Sequence, residues 1–302
     1  MLLTFAFLSE RSVFGKRCDK NPILKYFSAE DFNLSAESVL LPKGLKGFLY
    51  RKEDKQQNGK LIIFCHGMGP GHIAYTTEIA YFCNHGYAVL AVDSRGCNLS
   101  AGKNIRGMYE AVKTAICAID YAKPLGFEKI YLVGHSWGAY SALCASAKRK
   151  VDGVVAISAP NTPSKSMQDG AAPILSRPFA TVLRPFWWIV NFLKYGAKGN
   201  SNAAKCAKKN GTPTLLVHGD KDKVVTPENA AFYKANGKHI TKLLVEGKAH
   251  NPYNTENAEK LLASLSAKFK NRDIADITQF DFKAATEEDE EVMQKILNFL
   301  EG

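Results

Sequence analysis

LVGHSWGAY, residues 132–140, sets a serine between two glycines directly after an apolar run. Glycine loses more backbone freedom on ordering than any other residue, so two at this spacing mark a backbone that needs unusual room. Ser136 stands where IYLV (130–133), a strand by its apolar continuity, gives way to a helical stretch over 136–148. A G-x-S-x-G sequence at a strand-to-helix turn is a nucleophile elbow, which lifts the serine hydroxyl clear at the C-terminal edge of a sheet. Gly134 and Gly138 leave space for the turn and for the packing of the helix behind it. The helix N-terminus also directs its dipole and free N–H groups at the spot, favouring negative charge there.

A serine hydroxyl is a weak nucleophile until a base takes its proton. Behind an elbow the partners follow in the chain order acid, then histidine. Of the seven histidines only His239 and His250 come late enough. His239 precedes the strand KLLV (242–245) and falls at the far edge of the sheet, as a surface residue. His250 follows that strand and falls where the elbow is, so it is the expected base. His135, beside the serine, is expected to point elsewhere. The acid comes after TLLV (214–217), where HGDKDKVV offers Asp220 and Asp222. Asp222 is the preferred partner, holding the histidine tautomer, and Asp220 is expected to tie down the turn after Gly219. An oxyanion hole requires one N–H from the residue after the serine, Trp137, and one from the loop CHGMGPGH (65–72), where Met68 is the candidate. A plain tight turn is the other reading of these glycines. The phosphate-loop pattern is missing.

Outward from this centre the chain alternates apolar runs with amphipathic stretches. LIIF (61–64), AVLAV (88–92), IYLV, VVAI (154–157), TLLV and KLLV read as buried strands. Residues 73–84, 106–122, 136–148, 227–235 and 256–269 read as helices. Strands apolar on both faces, separated by helices, predict a parallel sheet covered on both sides. Residues 32–41 and 47–50 are expected to form an antiparallel edge hairpin. Roughly fifty residues between VVAI and TLLV carry no strand signal, a gap that in a compact domain usually forms a lid. The expected organisation is a single domain over 1–302, with a cap at about 160–208 and a C-terminal helical appendage at about 270–302. Its last helix is expected from Thr286, with Thr286 and Asp289 as an N-cap pair.

Composition narrows the function. The formal net charge of +11 is spread widely, with no helix-turn-helix, RNA-binding or zinc-finger signature, so no nucleic-acid partner is expected. Seven scattered cysteines without a C-x-x-C pair read as reduced thiols, implying a cytoplasmic setting, and no metal or other cofactor is expected. The apolar run at residues 2–8 lacks a basic n-region and a cleavage site, and is too short to span a bilayer. It reads as a local packing segment, with peripheral membrane contact through it or the cap as the alternative.

VGHSWGAYSAL, HGDKDKVVTPENA and VEGKAHN resemble the nucleophile, acid and histidine segments of the α/β-hydrolase superfamily, over about residues 61–269. VDSRGCNLSAG (92–102) is similar to a loop of its monoacylglycerol-lipase-like and serine-aminopeptidase-like branches, with Asn98 where glycine is more usual. The resemblance implies an α/β-hydrolase fold: an eight-stranded, mostly parallel sheet, helices on both faces and an inserted helical cap. It also implies hydrolysis of esters, thioesters or amides without a cofactor. Superfamily members that open epoxides carry aspartate at the elbow, so serine indicates acyl transfer. Prolyl oligopeptidases share the pattern but carry a propeller that this chain has no length to hold. The expected function is a serine esterase, carboxylesterase- or lipase-like, acting on a small-molecule ester with an apolar acyl group. An aminopeptidase, amidase or acyltransferase with the same triad is the alternative, and a non-catalytic binding protein the second. Phe179, Leu183, Phe186 and Trp187 in the cap are expected to line the acyl pocket. Packing of these aromatics within their own domain, or a membrane-surface patch flanked by Arg184, Lys194 and Lys198, are the competing readings.

Overall fold

A computed structural model describes residues 1–271 and 277–302. Among them, one sheet of eight strands runs in the order β1 (Ser35–Leu41), β2 (Leu45–Arg51), β4 (Ala88–Val92), β3 (Lys60–Cys65), β5 (Lys129–His135), β6 (Gly153–Ile157), β7 (Thr214–Gly219) and β8 (Ile240–Val245). β1 and β2 form the antiparallel edge hairpin, and β2 pairs antiparallel with β4. From β4 to β8 every pairing is parallel. β3, β4, β5, β6 and β7 are buried on both faces almost throughout, which explains their unbroken apolar runs.

The helices are α1 (Leu2–Phe14), α2 (Thr76–Asn84), α3 (Tyr109–Ala122), α4 (Trp137–Ser146), α5 (Pro163–Leu175), α6 (Arg177–Tyr195), α7 (Ala203–Asn210), the single turn α8 (Ala231–Lys234), α9 (Glu256–Asn271) and α10 (Glu290–Glu301). Two cores flank the sheet. One joins it to α3, α4, α7 and the inner faces of α1 and α6. The other joins the opposite face to α2 and α10.

Three features depart from the sequence reading. The N-terminal segment is not a local patch: α1 packs along α6, with the Trp187 indole N–H donating to Ser9 Oγ at 3.0 Å and Lys194 paired with the buried Glu10. The C-terminal helix is not an appendage, since Val292, Met293, Ile296, Leu297 and Leu300 are buried against the sheet. It begins at Glu290, where Asp289 alone is the N-cap, accepting from the Val292 N–H at 3.4 Å; Thr286 lies in an earlier single turn. Residues 272–276 of that segment lie outside the described residues. Between β6 and β7, α5 and α6 pack on one another as a helical cap that α1 completes, while α7 packs on α4.

Candidate active site

β5 ends at His135, and the chain turns into α4 through Ser136, whose φ of 54° and ψ of −118° lie in a region that non-glycine residues seldom occupy. The turn is held by the Ser136 N–H donating to the Ile157 carbonyl of the neighbouring β6 at 2.8 Å. Gly138 is required because any Cβ there would collide with the backbone carbonyl of Cys65 at the end of β3. At Gly134 a Cβ would come within 2.7 Å of the Gly138 carbonyl carbon, so the two glycines of the opening stretch make room for one another.

His250, in the loop after β8, reaches Ser136 Oγ with Nε2 at 3.0 Å. Its Nδ1 meets Asp222 Oδ2 at 2.9 Å. Asp222 has a fully buried side chain, and its other oxygen accepts from the N–H groups of Val224 and Val225 at 2.8 and 2.9 Å. Burial alone would raise its pKa, but the bond and charge of His250 and the two backbone donors outweigh this and hold it below the usual carboxylate range. Asp220 points away and pairs with Lys221 at 3.3 Å. The structure therefore brings Ser136, His250 and Asp222 into one hydrogen-bonded row and leaves Asp220 outside it.

Met68 and Trp137 both line the cavity beside Ser136. Neither backbone N–H is spent on a hydrogen bond among the described residues, so both remain available to an anion. The Trp137 indole instead donates to the Met108 carbonyl at 2.7 Å and anchors the start of α4. The loop bearing Met68 is pinned from both ends. His66 accepts from the Ser94 N–H at 2.8 Å and therefore donates from Nδ1 to the Gly67 carbonyl at 2.7 Å. Buried Asp93 receives the His72 N–H at 2.8 Å, and its other oxygen receives the Asn98 amide at 3.0 Å. Gly71, at φ 89°, is needed because a Cβ there would strike Asp93.

Two histidines differ from their sequence readings. His239 is half-buried rather than a free surface residue, with Nε2 donating to the Ala207 carbonyl at 2.9 Å. His135 does not point away from the site. Its ring lies 4.8 Å from that of His250, and its Nε2 must donate to the His250 carbonyl, at 3.0 Å, because a carbonyl can only accept. Its Nδ1 is then left to accept from the Tyr75 hydroxyl at 3.0 Å, whose oxygen in turn accepts the Gly67 N–H at 3.0 Å. Burial, with the charge of His250 second, pushes the His135 pKa down to about 3, so the ring is neutral. Sequence reasoning missed Tyr75 and this role of His135; the only signal was a histidine adjacent to Ser136.

Above Ser136 opens a cavity of about 460 Å³, walled mainly by apolar side chains. Its walls come from α5 (Met167, Gly170, Ala171) and α1 (Phe5, Val13), with Val225 behind Asp222. Here the structure corrects the sequence reading: Phe179, Leu183, Phe186 and Trp187 of α6 are not among the lining residues. Leu183 and Trp187 are fully buried in the core, Phe186 packs against it, and Phe179 lies edge-on to Phe5 with 41% exposure. Helical spacing put the aromatics on one helix, but α1 and α5 stand between that helix and the cavity.

Residues 60–186 match a family model described as the alpha/beta hydrolase fold. Epoxide hydrolase B of Mycobacterium tuberculosis is 28% identical over 83 residues, covering 28% of this chain and 23% of its own. A proline iminopeptidase of Clostridium botulinum is 32% identical over 98 residues, covering 32% of this chain and 33% of its own. The matches thus span a quarter to a third of these relatives. Among solved structures, an esterase of Pyrococcus furiosus superposes with a TM-score of 0.61 at 17% identity, over 85% of this chain and 98% of that one. The α/β hydrolase GrgF of a Penicillium species superposes at 0.54 with 17% identity, over 82% and 98%.

Proposed function

Because residues 60–186 match the alpha/beta hydrolase fold model, we propose that the chain is a serine hydrolase of that superfamily cleaving carboxylic esters with an apolar acyl group. The observation that carries the reading is the row Ser136 Oγ, His250 Nε2 and Nδ1, Asp222 Oδ2, joined at 3.0 and 2.9 Å beneath an apolar cavity. In this reading Ser136 attacks the ester carbonyl while His250 takes its proton, and Asp222 keeps the imidazole in the required tautomer. The N–H groups of Met68 and Trp137 receive the oxyanion; one such donor is commonly worth about a hundred- to a thousandfold in rate. His250 then protonates the leaving alcohol, and water releases the acyl group by the same route in reverse. No cofactor takes part in these steps.

Serine at the elbow, rather than a carboxylate, favours acyl transfer over the epoxide chemistry in one relative's name. Among the described residues the cavity lining holds no Asp or Glu to pair with a substrate amino terminus, which favours esters over the substrates of an aminopeptidase. The test is hydrolysis of p-nitrophenyl esters of graded acyl length, beside matched aminoacyl anilides, by the native chain and Ser136→Ala. Ester turnover lost in the variant is the expected result. Anilide cleavage with little ester turnover would transfer the protein to the peptidases, and silence of folded protein on both would overturn the reading.

A further inference from the structure

α6 turns apolar side chains to both of its faces. Its inner residues Ala180, Leu183, Trp187 and Val190 are buried, as a cap helix requires. Its outward residues Val182, Trp188, Ile189, Phe192 and Leu193 are apolar too, and Leu193 is 73% exposed. Trp188 and Phe192 stack on one another in the open, with ring centroids 5.4 Å apart and planes 10° from parallel. A helix facing only water carries polar residues on this side, and an apolar patch of several adjoining side chains marks an interaction surface.

Charge around the patch has one sign. α1 and α6 together contain Arg11, Arg177, Arg184 and Lys194 but a single acid, Glu10. Glu10 is fully buried and paired with Lys194, so neither helix shows an exposed carboxylate. Arg177 is engaged by Glu228, which leaves the exposed Arg11 and Arg184 on the two helices and Lys198 just beyond α6. The patch is also continuous with the cavity. Exposed Phe179 meets Phe5 edge-on at 6.1 Å, and Phe5 and the 83%-exposed Ile174 both line the cavity above Ser136.

We infer that the outward face of α6, flanked by α1, docks on an anionic lipid surface. An apolar face bordered by basic residues suits a helix lying in the headgroup layer. The formal charge of +11 favours an anionic surface and opposes pairing with a second copy. The cavity then opens towards the source of apolar acyl chains. Docking itself does not rest on the serine chemistry, so Ser136→Ala serves equally well to test it.

The protein carries its own reporter. Of its three tryptophans, Trp137 and Trp187 are buried and Trp188 alone is exposed. Ser136→Ala protein is mixed with sucrose-loaded vesicles of phosphatidylcholine, with and without phosphatidylserine, and sedimented while its emission is recorded. Expected are co-sedimentation with the anionic vesicles, a blue shift that Trp188→Phe abolishes, and affinity lower by about fivefold for each of Arg11→Gln and Arg184→Gln. Leu193→Glu, on the native Ser136 background, should weaken docking at least about tenfold while hydrolysis of a water-soluble short ester stays unchanged. Absence of co-sedimentation with unshifted emission would overturn the inference. So would equal binding to both vesicle types, or a self-association in ultracentrifugation that Leu193→Glu dissolves.

Discussion

His135 donates from Nε2 to the backbone carbonyl of His250 across 3.0 Å, so the residue before Ser136 fixes the loop of the histidine that meets Ser136 Oγ. Ser158 Oγ donates to the same carbonyl at 2.8 Å. Through Tyr75, which joins His135 Nδ1 to the Gly67 N–H, the histidine loop and the loop carrying Met68 share one line of partly buried hydrogen bonds. A shift at either end must be met by the other.

Tyr75→Phe removes the middle of that line and leaves a buried donor and acceptor unpaired. It should cost about 1–3 kcal/mol in urea unfolding. If Tyr75 is a positioning residue, kcat should also fall about ten- to a hundredfold with KM unchanged. Lost stability with native kcat would make its role structural only.

Asp222→Asn should lower kcat about ten-thousandfold, because the amide cannot hold the imidazole tautomer that an anion holds. Asp220→Asn, which touches only the Lys221 pair, should retain most activity in the same ester assay. The reverse pattern would reassign the acid.

Gly170 lies in α5 on the cavity wall, and a Cβ there meets nothing within 4 Å. Gly170→Leu should therefore fill cavity space without strain. Turnover of long acyl esters should drop about ten- to a hundredfold, while acetyl ester turnover holds. The helix itself should gain up to about 0.8 kcal/mol, read as a raised melting temperature. An unchanged chain-length profile would place the acyl chain elsewhere.

Stability should decline as pH rises from the ordinary carboxylate range to about 8. Burial pushes the carboxyl of Glu78 up to about 7, and burial together with the charge of Glu78 pushes Glu288 up to about 8. Both groups bind protons more tightly in the folded chain than in the unfolded one. Their favourable contribution is therefore complete below the ordinary carboxylate range and is lost as pH rises through about 7 and 8. Urea titrations at pH values from the ordinary carboxylate range up to about 8 should show the decline, and Glu78→Gln should flatten it.

The parallel core was legible because strands buried on both faces must be apolar throughout, as in AVLAV and VVAI. Ser136, Asp222 and His250 were legible for a related reason: each follows the C-terminal end of a recognisable strand. What escaped was pairing over long sequence distances. Nothing in residues 2–14 tells that Ser9 meets Trp187, or that Glu10 meets Lys194. Nor does the spacing of the α6 aromatics tell that α1 and α5 stand between that helix and the cavity, because both sides of α6 are apolar. His135 was misread because the elbow's geometry fixes where a serine points and leaves its neighbour to tertiary packing.

The cap closes with two helices, α1 and α6, that lie more than 160 residues apart in the chain. α1 leaves the ribosome with its Glu10 carboxylate and apolar face unmatched, and its partner α6 follows only after most of the sheet has been synthesised. Contacts of such separation form late and slowly, since a long intervening chain must be ordered before they are rewarded. During that interval α1 is a sticky amphipathic segment on a half-made protein, and nascent chains stalled before residue 195 should be the ones that chaperones hold. The joint that completes the cavity above Ser136 thus also sets when, in the life of the chain, it becomes safe from aggregation.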